Sequence, residues 1–316
     1  MDRELKIFSG SSNPLLAQRI CDYLGVPLGM ARISKFPDDE TFIKLEEDIR
    51  GRDIFVVQSV AHRPNEYLME LLIFLDCVRR ASAQRVTAVL PYFGYARQDR
   101  KDEGRTPITA KLVANMLVTA GADRVITIDL HAAQIQGFFD VPLDHLEAYQ
   151  VFMNYFRGLR LDNVAIVAPD LGSVKRARVL SRHLDGRLAI VNKERIGSVA
   201  VRSDKLIGDV ADSDILIYDD MISTGGSVVM AARLLKEYGA GDIYVSATHG
   251  LFCGQAVERL GEAPIKQIIV SDSVPINDRA RVMSNLVVLS VAPLLGEAIS
   301  RIHRNESVSS LFLENQ

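Results

Sequence analysis

A chain of 316 residues, 48% hydrophobic and 24% charged, is long enough for two α/β domains and has the profile of an ordinary soluble enzyme. Its formal net charge of −3 excludes a general pull toward nucleic acid or an anionic membrane, so any phosphate must be held by local sites. Cys21, Cys77 and Cys253 lie far apart without CxxC spacing and read as reduced, mostly buried thiols, which excludes a disulfide framework or a zinc site.

The chain opens Met1-Asp2-Arg3-Glu4, charged where a secretion signal needs an apolar run, and no apolar stretch approaches the roughly 18 residues of a membrane span. The expected location is the cytoplasm. Short apolar strands are expected at 6–8, 54–58, 85–90 and 124–128, and a second series at 164–168, 188–192, 215–218, 243–248, 267–271 and 286–290. Asn13-Pro14 starts a helix over 15–24, and Thr106-Pro107 does the same for 108–120. Further helices are expected at 228–238 and 294–303, and Gly121 and Gly239 sit at helix C-caps. Strands alternating with helices predict an α/β fold with mainly parallel sheets. The two series predict two similarly built halves, 1–146 and 147–316, with the last helix able to return to the first half.

Ligands of parallel sheets gather beyond the carboxyl ends of strands. Three strands here run into acids: Ile128-Asp129-Leu130-His131, Ala168-Pro169-Asp170 and Tyr218-Asp219-Asp220; a fourth runs into Lys193-Glu194-Arg195. One such acid is ordinarily a helix cap or turn former. Three, with a basic site, point to metal and phosphate.

The segment Asp219-Asp220-Met221-Ile222-Ser223-Thr224-Gly225-Gly226-Ser227 leads from a strand into a helix. Thr224, Gly225, Gly226 and Ser227 place backbone N–H groups at a helix N-terminus, where the dipole favours an anion and glycine lets the backbone close around it. Asp219 and Asp220 suit sugar hydroxyls, directly or through a divalent ion. Acids for a diol and a nest for a phosphate describe a ribose phosphate. No GxxxxGK[ST] is present, which excludes a P-loop.

This string resembles the phosphoribosyl-diphosphate loop shared by type I phosphoribosyltransferases and ribose-phosphate pyrophosphokinases. Pro91-Tyr92-Phe93-Gly94-Tyr95-Ala96-Arg97-Gln98-Asp99-Arg100-Lys101 and Asp129-Leu130-His131-Ala132-Ala133-Gln134-Ile135-Gln136-Gly137-Phe138-Phe139 resemble the pyrophosphokinases in particular. So do Phe8-Ser9-Gly10-Ser11-Ser12-Asn13-Pro14 and Ser307-Val308-Ser309-Ser310-Leu311-Phe312, which extends the resemblance over essentially the whole chain.

The resemblance implies two tandem phosphoribosyltransferase-like domains and transfer of the β,γ-diphosphate of ATP to the 1-hydroxyl of ribose 5-phosphate, with Mg²⁺ as cofactor. It implies ATP contacts at Phe36, Asp38, Asp39, Glu40, Arg97, Gln98, Asp99 and His131, with Phe36 stacking on adenine and the acids accepting from its amino group. Metal positions are His131 and Asp170, supported by Asp129; His131 acts there directly, through water, or on a phosphate. Lys193 and Arg195 match the catalytic pair, at the base of a segment over 196–207 that reads as a flap or as a β-hairpin. Ribose 5-phosphate falls to Arg195, Asp219, Asp220, Ser223, Thr224, Gly225, Gly226 and Ser227. A homo-oligomer, commonly a hexamer, and allosteric ADP or phosphate are also implied.

Three positions depart from the family pattern. Ser223 stands where a third acid is usual, Ser227 replaces threonine, and Gly104 stands where the regulatory phosphate site often has serine. A phosphoribosyltransferase would not need the ATP segments. A non-catalytic regulatory relative would be expected to lose Lys193 and Arg195, which are present, and a nucleotide-binding protein of other chemistry is the third rival.

Overall fold

The computed structural model describes residues 4–159, 161, 163–196 and 201–311. They form two compact units, one of Met1–Glu147 with Ser273–Pro275 and Ser290–Gln316, the other of Ala148–Asp272 with Ile276–Leu289.

In the first unit the elements are β1 (Leu5–Ser9), α1 (Pro14–Leu24), β2 (Ala31–Lys35), β3 (Thr41–Leu45), β4 (Asp53–Val57), α2 (Pro64–Arg80), β5 (Arg85–Leu90), α3 (Thr109–Ala120), β6 (Arg124–Ile128) and β7 (Leu143–Leu146). Its sheet runs β1-β4-β5-β6-β7, and every pair is parallel. Strands covered on both faces need unbroken apolar runs, and β4, Asp-Ile-Phe-Val-Val, is buried throughout. The hairpin of β2 and β3 forms a separate antiparallel pair that the strand expectations did not include.

The second unit contains α4 (Tyr149–Gly158), β8 (Ala165–Ala168), α5 (Val174–Leu184), β9 (Arg187–Ile196), β10 (Val201–Ile207), β11 (Ile215–Ile222), α6 (Gly226–Glu237), β12 (Ile243–Gly250), α7 (Ala256–Gly261), β13 (Gln267–Ser271), α8 (Asp278–Arg281) and β14 (Leu286–Leu289). Its sheet runs β10-β9-β8-β11-β12-β13-β14. All pairs are parallel except β9 with β10, which is antiparallel. Both units are thus α/β with mainly parallel sheets, as expected.

Helix α9 (Ala292–His303) belongs to the first unit and packs on α1. Gly296 permits the approach, since a Cβ there would meet the Tyr23 ring at 2.4 Å. At its other end α9 is tied to the sheet by charge. The fully buried Asp53 accepts from Arg85 Nε at 2.8 Å and faces His303 Nδ1 at 2.9 Å. Arg85 also donates to the Ile302 carbonyl at 2.9 Å, one of the acceptors a helix C-terminus leaves unpaired. Replacing His303 by alanine removes a bond to a buried carboxylate and is expected to cost about 1.5–3 kcal/mol. A melting temperature equal to that of the parent would show that this link contributes nothing.

Of the strands that run further than their composition predicts, β9 and β11 matter for the site. β9 continues to Ile196, so Lys193, Glu194 and Arg195 are strand residues and do not follow the strand. β11 continues to Ile222 because β12 pairs with it as far as Gly250, so Asp219 and Asp220 also lie inside the strand. The cysteines need a correction too: only Cys21 is buried, Cys77 is half-buried and Cys253 is exposed. Burial, with Asp22 beside it, pushes the Cys21 thiol up to about 11.

Candidate active site

In the second unit three of the sequence-predicted residues, Asp170, Asp219 and Asp220, come close together near the carboxyl ends of β8 and β11. Asp170 follows β8 in extended backbone, and its Oδ1 accepts from the Ser173 N–H at 3.1 Å and the Ser173 hydroxyl at 2.9 Å. It therefore caps the short turn leading into α5. Asp219 Oδ1 accepts from the Asp220 N–H at 2.9 Å. Arg176 Nη1, from the first turn of α5, lies 3.4 Å from Asp220 Oδ1 and 3.8 Å from Asp219 Oδ1. Burial, followed by the charges of Asp220 and Asp170, pushes the Asp219 carboxyl well above the usual carboxylate range. Carboxylates sharing so little solvent are lowered in energy by hydroxyl donors or by a nearby positive charge such as Arg176.

Beyond Ile222 the chain turns under tight backbone control. The Ile222 carbonyl accepts from Leu251 and Phe252 N–H at 3.0 and 3.1 Å, and the Ser223 carbonyl from Cys253 N–H at 2.8 Å. Gly225 is left-handed at φ 72°, and its carbonyl takes the first helical bond from Val229 N–H at 2.9 Å. Helix α6 thus begins at Gly226, and the N–H groups of Gly226, Ser227 and Val228 come before any intrahelical partner. Thr224 and Ser227 are exposed beside them. A cavity of about 440 Å³ borders this turn, lined by Thr224, Gly226, Ser227 and Met230 with Arg233 and Arg259.

In the first unit the segment Phe36–Glu40 is the β2–β3 turn, closed by Phe36 N–H to Glu40 O at 2.9 Å and Asp39 N–H to Phe36 O at 3.0 Å. Asp39 takes φ 70° there, which an aspartate tolerates better than most residues. Phe36 is half exposed, with its ring 5.5 Å from Phe42 in an edge contact, and Asp38, Asp39 and Glu40 are exposed. Lys35 pairs with Glu66 at 2.9 Å and ties the hairpin to α2.

Arg97 and Gln98 are exposed ahead of α3, and the Gln98 carbonyl accepts from Ala110 N–H at 3.1 Å. Asp99 accepts from Gln134 Nε2 at 2.6 Å, which joins the Arg97 segment to the one that follows β6. In that second segment Asp129 is buried at φ 39° and His131 is exposed. The Leu130 N–H donates to His145 Nε2 at 2.8 Å, so His145 holds this turn. The loop Ser9–Asn13 is organised by the buried Glu70, which accepts from Ser11 N–H at 2.7 Å, Ser11 Oγ at 2.6 Å and Gln58 Nε2 at 2.8 Å.

The side chains of Lys193 and Arg195, residues 197–200 of the expected flap and Phe312 lie outside the described residues. The backbone on either side of 197–200 forms the antiparallel pair β9–β10, with Lys193 opposite Asp204 and Arg195 opposite Arg202. Among the described residues no three His, Cys, Asp or Glu side chains converge as a metal cage.

Three domain families match the chain: the N-terminal domain of ribose phosphate pyrophosphokinase over residues 5–121, the phosphoribosyl transferase domain over 143–250 and the phosphoribosyl synthetase-associated domain over 202–313. The ribose-phosphate pyrophosphokinase of Rhodopirellula baltica is 55% identical over 315 residues, 99% of either chain. The chain belongs to the ribose-phosphate pyrophosphokinase family. The Rhizobium meliloti pyrophosphokinase is 49% identical over 98% of this chain and 100% of its own. The crystal structure of phosphoribosylpyrophosphate synthetase from Mycobacterium smegmatis superposes with a TM-score of 0.91 at 40% identity, covering 96% of this chain and 100% of that one. Membership makes phosphoribosyltransferase-type domains the frame on which both segments stand. Arg176 is the residue at the carboxylate cluster that motif reading passed over. Its only sequence signal was a basic residue in a helix's first turn.

Proposed function

We propose that this protein transfers the β,γ-diphosphate of ATP to the 1-hydroxyl of ribose 5-phosphate, giving 5-phosphoribosyl 1-diphosphate and AMP for nucleotide and amino-acid biosynthesis. The observation that carries the reading is the placement of Asp219 and Asp220 near the end of β11, just ahead of a turn whose left-handed Gly225 opens α6. The carboxylates accept from the 2- and 3-hydroxyls of the sugar. The backbone N–H groups from Thr224 to Ser227, with the Thr224 and Ser227 hydroxyls, donate to the 5-phosphate. Ser223 in place of an acid removes one charge from beside that phosphate.

For ATP, the half-exposed Phe36 ring offers a stacking face and the neighbouring acids accept from the adenine amino group. Arg97 brings forked donors for phosphate, alongside Gln98, Asp99 and His131. Phosphoryl-type transfer asks mainly for in-line positioning and charge stabilisation, and Lys193 and Arg195 supply the charge as the β9–β10 hairpin closes. Asp170 in the second unit, and Asp129 and His131 in the first, are each residues that would contribute to holding Mg²⁺. Such an ion takes few protein oxygens and completes its shell with waters and substrate phosphates, so a single carboxylate such as Asp170, at the carboxyl end of β8, fits it without a cage. When bound it neutralises charge on the ATP phosphates. Cytoplasmic location, a homohexameric assembly and control by ADP or phosphate belong to the same proposal.

The test mixes protein, ATP, ribose 5-phosphate and Mg²⁺ and follows AMP. AMP that appears only with the sugar supports the proposal; no AMP, or AMP without sugar, overturns it. A glycine pair tests the phosphate turn separately. Gly225→Ala forces a left-handed Cβ to 3.2 Å from Leu260 Cγ and is expected to lower stability by about 1–2 kcal/mol. At Gly226 the nearest atom to a Cβ is Thr224 Oγ1 at 3.9 Å. Gly226→Ala should therefore melt within a few degrees of the parent while the KM for ribose 5-phosphate rises. Equal KM values in Gly226→Ala and the parent would take the phosphate away from this turn.

A further inference from the structure

Arg176 stands where local chemistry does not favour it. A helix N-terminus carries a partial positive charge that disfavours cations in the first turn. The first turn of α5 nonetheless contains Lys175 and Arg176 and no acid. What offsets this for Arg176 lies across from it: Asp220 Oδ1 at 3.4 Å and Asp219 Oδ1 at 3.8 Å. The three side chains are largely buried, at 25%, 17% and 5% exposure for Arg176, Asp219 and Asp220. A residue that breaks a local rule and is compensated by site residues is a candidate for function.

We infer that Arg176 is a positioning residue for the sugar, its guanidinium holding Asp219 and Asp220 together as paired acceptors for the vicinal diol of a pentose phosphate. This rests on the pyrophosphokinase reading above. Adjacent carboxylates at a partly buried strand end repel one another. A neutral diol brings hydrogen-bond donors and no compensating charge, and the Arg176 guanidinium, 3.4 and 3.8 Å from the two carboxylates, supplies positive charge there. One guanidinium nitrogen, Nη1, lies between the two carboxylates, and arginine keeps its charge at any pH at which the acids ionise. Arg176 acts through the two acids and is assigned no contact with the reacting carbon. Its geometry bears on the sugar and leaves the adenine segments of the first unit alone.

The test compares the parent with Arg176→Ala and Arg176→Lys, using ribose 5-phosphate and 2-deoxyribose 5-phosphate as acceptors, and reads kcat and KM for each substrate together with the melting temperature. In Arg176→Ala the two acids lose the charge that holds them as paired acceptors, and the KM for ribose 5-phosphate is expected to rise by about tenfold or more. The KM for ATP should stay within about twofold, and much of the preference for the acceptor bearing a 2-hydroxyl should disappear. Arg176→Lys should recover part of both. A parent protein that forms no sugar-dependent AMP overturns the pyrophosphokinase reading and this inference with it. An active parent whose Arg176→Ala variant keeps its KM and its acceptor preference overturns the inference alone. So does a variant in which both KM values rise together with a fall in melting temperature, which would make Arg176 a scaffold residue.

Discussion

Replacing Lys193 by alanine is expected to lower turnover by about 10²–10³-fold while the apparent affinity for ATP changes by no more than about threefold. The expectation rests on where the charge is needed. In the proposed transfer, charge moves onto the departing AMP and the transferred diphosphate as the β-phosphorus changes partners, and a cation that meets it only then affects turnover more than binding. The backbone supplies a suitable element. β8 pairs with β9 only from Ala165–Arg187 to Ala168–Ile190, whereas β10 pairs with it through Ile196. Lys193 and Arg195 therefore sit in a two-stranded extension beyond the body of the sheet, an arrangement suited to closing over a substrate. kcat and kcat/KM should fall together in steady-state assays of AMP formation. Near-normal turnover in Lys193→Ala would remove the residue from the catalytic role, and Arg195→Ala measured beside it shows whether the two act as a pair.

The parts of the fold that were legible in the sequence are those where burial alone decides. β5, β6 and β13 have the expected limits because each is an apolar run covered on both faces and bounded by polar or turn-forming residues. The β2–β3 hairpin has residues half-buried or exposed almost throughout, and Phe36, Asp38, Asp39 and Glu40, read as a binding segment, also form its turn. β7 is a four-residue edge strand, Leu-Asp-His-Leu, too short and polar to show a period.

The site was legible as chemistry and less so as placement. Paired acids ordinarily end a strand, and the Asp219-Asp220 pair read that way; the parallel partner β12 carries the ladder past them and buries the carboxylates that a turn would have left in water. Arg176 could not be singled out because its meaning lies in a contact between residues more than forty positions apart. The tie between Asp99 and Gln134 is of the same kind: both residues stood in recognised segments, and only the fold joins them.

At neutral pH, replacing Asp219 by asparagine is expected to raise the melting temperature while the KM for ribose 5-phosphate rises by about tenfold or more. Burial first, and then the charges of Asp220 and Asp170, hold the Asp219 carboxyl well above its ordinary value of 3.8. A group raised in this way keeps its proton in the folded protein at a pH where the unfolded chain has lost it. Stability therefore falls as pH rises from the ordinary value through the raised one, and the full penalty persists above it. Asparagine keeps the shape and an acceptor for the Asp220 N–H but carries no charge, so the penalty disappears. The gain should be largest on the alkaline side and shrink toward zero as pH falls to the ordinary carboxylate value, where the parent is protonated as well. Sugar binding moves the other way. The ionised carboxylate is the better acceptor for a hydroxyl, so the parent's affinity for ribose 5-phosphate should grow with pH across the window in which its stability falls. Thermal melts of both proteins across the acid-to-neutral range, set beside ribose 5-phosphate KM values at each pH, test the two halves together. A variant that melts at or below the parent at pH 8 would mean that the carboxylates are already balanced in the folded protein. A variant with unchanged KM would mean that the diol is held elsewhere.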